Sequence, residues 1–287
     1  MFGRIKNNLR FICTWFTGIA SIVFGLISGV QMFVNWEAIG VNDTKCKIAI
    51  LFGILFLCGI VSLIRGLFFS KKTIYSKDEV KIEVRYGDLM KVAFPRKKKD
   101  ERIVVIAVNC CFDMIVNQDL IREHSVHGQF LKRYVHNDTE QNTLETAIKE
   151  SLNEFGYEPV HLDRKDKRYG NLERYPLGSV ARVNGDNGVT FFLLALTEFD
   201  KDCKAHCDKH QYVKSLLKLF EYYDSHGQGM DLYFYPMGTS MARTGLSKKE
   251  ALEAVTVLTK ISKEHLRAKT TIIIDKRYKN EISITDI

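Results

Sequence analysis

The stretch DLYFYPMGTSMARTGLSKKEAL, Asp231 to Leu252, reads as a strand, a turn and the start of a helix. Leu232 to Tyr235 are strand-like, and Ser247 stands three residues before Glu250, the spacing at which each side chain satisfies the other's end of a new helix. Between them lie Pro236, Gly238 and Gly245, with Thr239, Ser240, Arg243 and Thr244 interleaved. Glycines let backbone amides approach a ligand closely, and hydroxyls donate beside a helix N-terminus, so the turn suits an anionic group. The lysine and the spacing of an ATPase phosphate loop are missing. A turn of purely structural purpose has the same composition.

Outward from that stretch, strands and helices alternate. IVVIAV, residues 103–108, is a continuous apolar run and predicts a strand buried on both faces. EVKIEVRYGDL, residues 79–89, places Val80, Ile82, Val84 and Tyr86 on one face and stops at Gly87-Asp88. Leu144, Ile148, Leu152 and Phe155 predict a helix over 142–155, and Val213, Leu216, Leu217, Phe220 and Tyr223 another over 209–226. Residues 178–183 and 189–199 form a strand pair around Asn184 to Gly188, a helix is expected from Ser247 to about Leu266, and TTIIID, 270–275, is the last strand. The polar residues after Lys276 read as a loose or edge element. The pattern specifies an α/β fold with helices on both faces of a central mixed sheet.

The first third is of another kind. Phe11 to Trp36 holds no charged residue, a run long enough to cross about 30 Å of hydrocarbon. Ile48 to Ile64 is a second such run, continued past Arg65 to Phe69, and Arg65 can snorkel to the interface. The division expected is 1–72, a membrane anchor with spans over about 11–34 and 47–69, and 73–287, a ligand-binding domain. Residues 1–72 carry +6 of the net charge of +8, so the basic excess reports membrane flanks rather than a nucleic-acid surface. The short, nearly neutral loop from Glu37 to Cys46 and the basic segments outside the spans put both chain ends in the cytoplasm of a multi-pass inner-membrane protein. Ser21, Gly25 and Gly29 line one face of the first span, either as a packing face for the second span or for self-association.

Seven cysteines, two of them in the spans, do not suggest a disulfide framework. Cys203, His206, Cys207 and His210 are metal-ligand types, but four ligands on one short helix do not close a tetrahedron; no metal is expected, and the segment reads as an exposed helix start.

In open α/β sheets ligands bind beyond the carboxyl ends of strands. Two loops hold that place: 109–130, with Asn109, Asp113 and Asn117 for ribose hydroxyls and Phe112 for stacking on a base, and 236–246. Cys110 and Cys111 are nucleophile types, but at a strand end they read as small buried residues. No Ser/His/Asp or Cys/His set has catalytic spacing.

The order VRYGDLMK (84–91), IVVIAVNCCFDMI (103–115), SVHGQF (125–130) and PMGTSMARTGLS (236–247) resembles the macro domain, an ADP-ribose-binding α/β/α sandwich. Its usual motifs are G-D-I, V-N-A-A-N, G-G-G-V and a G-T-G-x-x-G loop. With the two spans in front, the chain is similar to the macro-type membrane effectors of Thoeris antiphage defence, in which a TIR-domain partner makes a signal nucleotide from NAD. The resemblance implies that Asp88 contacts the adenine amino group, that Asn109 and Asp113 lie near the ribose with Cys110, Cys111 and Phe112 between them, and that Ser125, His127 and Gly128 replace the glycine-rich diphosphate loop. It makes Pro236, Met237, Gly238, Thr239, Ser240, Met241, Ala242, Arg243, Thr244 and Gly245 a second phosphate loop, with Arg243 on phosphate or on an added group. NCCFD lacks the second asparagine and SVHGQF has one glycine of three, which argues against hydrolysis and, the loop being bulkier, for a ligand other than plain ADP-ribose.

The expected function is an antiviral effector. An ADP-ribose derivative, a histidine conjugate by resemblance, binds without any cofactor, the chain self-associates, and the bilayer is disrupted. The alternative is a membrane-tethered ADP-ribosyl hydrolase using Asp113 with a water.

Overall fold

Both uncharged runs become long helices, each shifted towards the N-terminus of its expected span. In the computed structural model, which describes residues 2–98, 100–117, 120–238, 243–285 and 287, a short helix α1 (Phe2–Asn7) precedes α2 (Leu9–Gln31), and α3 spans Thr44–Phe68. Asp43 sets the start of α3 by accepting from the Lys45 amide at 3.2 Å. Both long helices are long and apolar enough to cross a membrane. Their apolar side chains face outward, Leu26 67% exposed and Phe56 71%, unlike those of a soluble core helix. Where α2 and α3 meet, Gly66 lies against Ile12, leaving no room for a Cβ, and the Arg65 guanidinium sits 3.9 Å from the Trp15 ring centre. Gly25 and Gly29 have nothing within 4 Å of where a Cβ would stand, so the small-residue face does not pack on α3.

The chain divides into two units, Met1–Ser70 with Arg277–Asp286 and Lys71–Lys276 with Ile287. The residues after Lys276 are therefore not loose, as their polarity suggested. A 3-10 turn over Lys276–Asn280 leads into a segment hydrogen-bonded to the first unit, with Ile282 and Ile284 buried.

The second unit is a layered sheet. Its elements in chain order are β1 (Lys71–Lys77), β2 (Val80–Gly87), α4 (Leu89–Ala93), β3 (Arg102–Asn109), α5 (Val126–Tyr134) and α6 (Asp138–Glu154). Then follow β4 (Val160–His161), β5 (Glu173–Arg174), β6 (Val180–Asn184), β7 (Val189–Phe199), β8 (Ala205–His206), α7 (Lys209–His226), β9 (Asp231–Phe234), α8 (Lys248–Ile261) and β10 (Thr270–Asp275). The strand order is β1-β2-β10-β9-β3-β7-β6, with β8 on β7 and β4–β5 a separate ribbon. From β2 to β7 every neighbour is parallel, while β1 and β6 close the edges antiparallel. One face of β3 and β7 (Val104, Ile106, Val108, Phe191, Leu193) packs in a single core with Met90 of α4, Phe130 of α5 and Leu144, Ile148 and Leu152 of α6. On the other face α7 places Phe220 against Phe234 and Tyr222 against Phe192. This is the α/β/α architecture with a mixed sheet that the alternation of elements predicts.

Two local readings change. Strand β1 was hidden because Lys71 and Lys72 look like a membrane flank, and lysines on an edge strand also block unwanted pairing. The segment from Cys203 is not an exposed helix start: Cys203 and Cys207 are buried, His206 lies on β8, and the helix begins only at Lys209 behind an Asp208–Gln211 capping box. No group of three His, Cys, Asp or Glu side chains placed to hold a metal occurs among the described residues.

Candidate functional site

Because β2, β10, β9, β3 and β7 run parallel, their carboxyl ends lie along one edge of the sheet. That edge collects Asp88 just past β2, Asn109 at the end of β3, and the Pro236–Ser247 loop just past β9. Three strand spacings separate β2 from β3, about 14 Å at the usual inter-strand distance, the reach of a dinucleotide-sized molecule.

Asp88 is exposed and caps α4, accepting from the Met90 amide at 2.9 Å. Asn109 is 4% exposed. Its Oδ1 accepts from the amides of Cys111 (2.9 Å) and Asp113 (3.5 Å), which winds the chain after β3 into a tight turn. Its amide nitrogen has no partner among the described residues. A buried donor left unmatched costs free energy comparable to a lost hydrogen bond. Asn117, by contrast, is spent locally on the Leu120 amide at 2.7 Å.

Within the turn, Phe112 has φ of +47°, a costly backbone state for a bulky side chain. Its ring is 3% exposed and stands edge-on to Tyr175 at 5.6 Å. It is a core side chain, and base stacking by it does not fit its burial. Cys110 and Cys111 are likewise buried; burial raises both thiols, that of Cys111 to about 11, which leaves them poor nucleophiles.

Asp113 does not face the sheet edge as a free carboxylate. It is bound to Lys167 Nζ at 2.6 Å and accepts from the Asn171 amide at 2.6 Å. Lys167 also donates to the Asn171 carbonyl at 2.6 Å, and the Asn171 side chain donates to the carbonyls of Cys111 and Phe112 at 3.1 Å each. Gly170, at φ +78°, allows the approach, since a Cβ there would fall 2.1 Å from Asp113 Oδ1. Burial pushes the Asp113 carboxyl above its ordinary range, while Lys167 and the Asn171 N–H pull it back. Sequence reading missed Lys167 and Asn171 because DRKDKRYGN has the charge density of a solvated loop, and only the tertiary fold brings it onto Asp113.

Ser125 caps α5, accepting from the Gly128 amide at 2.9 Å and donating to the Arg122 carbonyl at 2.7 Å. Gly128 is required by close approach, for a Cβ would stand 2.3 Å from that same carbonyl oxygen. His127 is 7% exposed, its Nε2 has no partner among the described residues, and burial lowers its pKa to about 3, so the ring is neutral.

The loop after β9 is fixed at its two ends. Tyr212 of α7 donates to the Met237 carbonyl at 3.0 Å, and Thr244 donates to the Gly238 carbonyl at 2.6 Å while accepting from the Leu246 amide. Gly238 has φ of +88°, and a Cβ there would stand 2.7 Å from the Tyr212 ring. Pro236 is partly buried and Met237 fully buried, whereas Arg243 and Gly245 are exposed, both at positive φ. Thr239, Ser240, Met241 and Ala242 lie outside the described residues. Ser247 and Glu250 form the capping box at the head of α8 that their spacing predicts.

The family description "Thoeris protein ThsA, Macro domain" matches residues 82–275. Thoeris protein ThsA of Bacillus amyloliquefaciens (strain Y2) is 27% identical over 270 residues, covering 91% of this chain and 83% of that protein. Among solved structures, the Oceanobacillus iheyensis macrodomain with ADP aligns at TM-score 0.47 and 12% identity, over 74% of this chain and 91% of that one. A tomato leucine aminopeptidase mutant aligns at 0.37 and 11%, over 72% of this chain and 35% of that one.

Proposed function

The chain belongs to the Thoeris ThsA macro-domain family, and from that premise we propose that it is an antiphage defence effector whose macro domain senses an ADP-ribose-derived signal. The observation that carries the ligand reading is Asn109, a buried amide donor without a partner among the described residues, on the edge shared by Asp88 and the Gly238–Gly245 loop. In this reading Asp88 takes the adenine amino group, Asn109 a ribose oxygen, and the α5 N-terminus and the loop after β9 the diphosphate. The exposed Arg243 pairs with phosphate or with an added histidyl carboxylate. The signal is a histidine conjugate made by a TIR-domain partner. Both spans lie in the inner membrane with the macro domain on the cytoplasmic side. Binding drives copies to associate, for which the face of Ser21, Gly25 and Gly29 is left unused within the chain, and the assembled spans disrupt the bilayer.

A sensor fits the site better than a hydrolase. Asp113, the carboxylate a hydrolase would need to activate water, is buried and tied to Lys167 and Asn171. Calorimetric titration of the detergent-solubilised chain with ADP-ribose and with histidine-conjugated ADP-ribose tests the reading. Stoichiometric binding, tighter for the conjugate and without released product, is expected. Turnover of either compound, or of an ADP-ribosylated protein, would overturn it in favour of the hydrolase, and no binding by a folded chain would leave only the fold.

A further inference from the structure

After β10 the chain passes back into the first unit at Arg277, and the hydrogen bonds of that polar segment converge on one buried side chain. Asn8, 4% exposed, sits between α1 and α2. Its amide donates to the Gly66 carbonyl near the end of α3 at 2.9 Å, and its Oδ1 accepts from the Ser283 hydroxyl at 2.7 Å. A hydroxyl has one proton and two lone pairs. With its proton given to Asn8, Ser283 accepts from Thr285 through both its amide (3.1 Å) and its hydroxyl (2.6 Å), so every valence is used. A second bond runs from the Asn7 side chain to the Asn280 carbonyl at 2.8 Å. One tail segment thus holds the ends of both apolar helices at a single joint.

The origin of that tail is the other half of the observation. Strand β10 lies between β2 and β9, its Asp275 in register with Gly87, and it runs three residues beyond the last β9 pair at Ile272. A ligand reaching from Asp88 to the Gly238 loop therefore crosses the end of β10, one residue before the turn that begins the tail. We propose that residues 277–285 are a strap through which β10 holds the paired helix ends at rest, and that ligand at the strand ends loosens the Ser283–Asn8 joint. This rests on the sensor reading for the ligand, whereas the joint itself does not.

Linkage supplies the test. If ligand binding must loosen the joint, then weakening the joint beforehand must tighten ligand binding by up to the same factor. Ser283→Ala removes the bond to Asn8 together with the two from Thr285, and the bond to Asn8, which alone crosses the joint, corresponds at ordinary strength to about a fivefold change. The full chain in phosphatidylglycerol-containing nanodiscs is titrated with histidine-conjugated ADP-ribose, and amide hydrogen exchange is followed with and without it. The expected result has three parts: a Kd for Ser283→Ala lower by up to about fivefold; faster exchange near Asn8 and Ser283 in ligand-free Ser283→Ala; and the same acceleration in the wild type on adding the conjugate. Ser283→Thr, which keeps the hydroxyl, returns wild-type values. Should Ser283→Ala fail to fold, Asn7→Ala, which touches only the bond to Asn280, is read in the same way. An unchanged Kd with a loosened joint overturns the strap while leaving the sensor standing. Absence of binding by the wild-type chain overturns the sensor reading, and the ligand-driven release with it.

Discussion

The loops that follow β3 and β9 meet at the same sheet edge but are built differently. The first is locked from within: Asn109 winds the turn, and Lys167 and Asn171 clamp Asp113 and the Cys111 and Phe112 carbonyls from a segment more than fifty residues away. The second is pinned, among its described residues, by Tyr212 on Met237 and by Thr244 on Gly238. One loop is a frame that costs little to hold ready for a ligand. The other has left-handed backbone at Gly238, Arg243 and Gly245, and in the sensor reading it is the flap over the ligand. Each can be broken separately.

The frame should fail in stability before it fails in binding. Lys167 is fully buried and Asp113 1% exposed, so Lys167→Met leaves a buried carboxylate without its counter-charge, at a cost of roughly 3–5 kcal/mol. Denaturant unfolding of the solubilised chain measures it, and adding Asp113→Asn should recover at least half by removing the stranded charge. Equal losses in the single and double variants would mean that the pair does not act as a unit.

The flap should fail in binding with less damage to the fold. Gly238→Arg forces a side chain into a left-handed position beside the Tyr212 ring, which costs about 1–3 kcal/mol of strain. The same side chain fills the space a diphosphate would take, and calorimetry should show affinity for the ADP-ribose conjugate falling by at least about a hundredfold, roughly 2.7 kcal/mol. Retained affinity would remove this loop from the site. Asn109→Asp sharpens the comparison, because it keeps the oxygen that winds the turn and replaces the buried amide donor by a carboxylate oxygen. Affinity should drop at least about tenfold, and the melting temperature of the ligand-free chain should fall as well, by less at low pH where the buried carboxyl is protonated.

The same contrast explains what could be read from the chain alone. The flap was legible because its logic is local: Gly238, Gly245 and the Ser247–Glu250 box are neighbours in sequence, and each does the backbone work its residue type announces. The frame was legible only in part. Asn109 falls at the end of an unmistakable apolar strand, but Phe112 looked available for a base because an aromatic residue in a loop carries no sign of Tyr175 waiting 5.6 Å away. Lys167 gave no signal at all, since a lysine in a charged stretch is ordinarily solvated and its burial depends wholly on Asp113, 54 positions earlier. The tail failed for the same reason: polarity reads as exposure until Asn8, 275 positions away, supplies the partner for Ser283.

The smallest effect separates the α5 end of the frame from the rest of the unit through pH. His127 is held neutral, with a pKa of about 3 against an unfolded value near 6.5, so folding excludes a proton that the unfolded chain binds. Its contribution is therefore complete above pH 6.5 and is lost progressively as pH falls from there towards 3. Between pH 7.5 and 5.5 the loss should be about 1.4 kcal/mol, and His127→Gln should flatten that slope. Glu83 on β2 is a carboxylate shifted the other way from Asp113. Lys71 and Lys81 lie 2.7 and 2.8 Å from its carboxylate and Lys269 3.5 Å, and they hold it down to about 2 against the opposing effect of burial. Its stabilisation is lost only as pH falls below about 4.5, beneath the histidine's window at pH 5.5. Unfolding at pH 7.5 and 5.5 beside the wild type thus reads the histidine by difference, and a His127→Gln chain that loses as much stability between them as the wild type would place the proton on some group other than this ring.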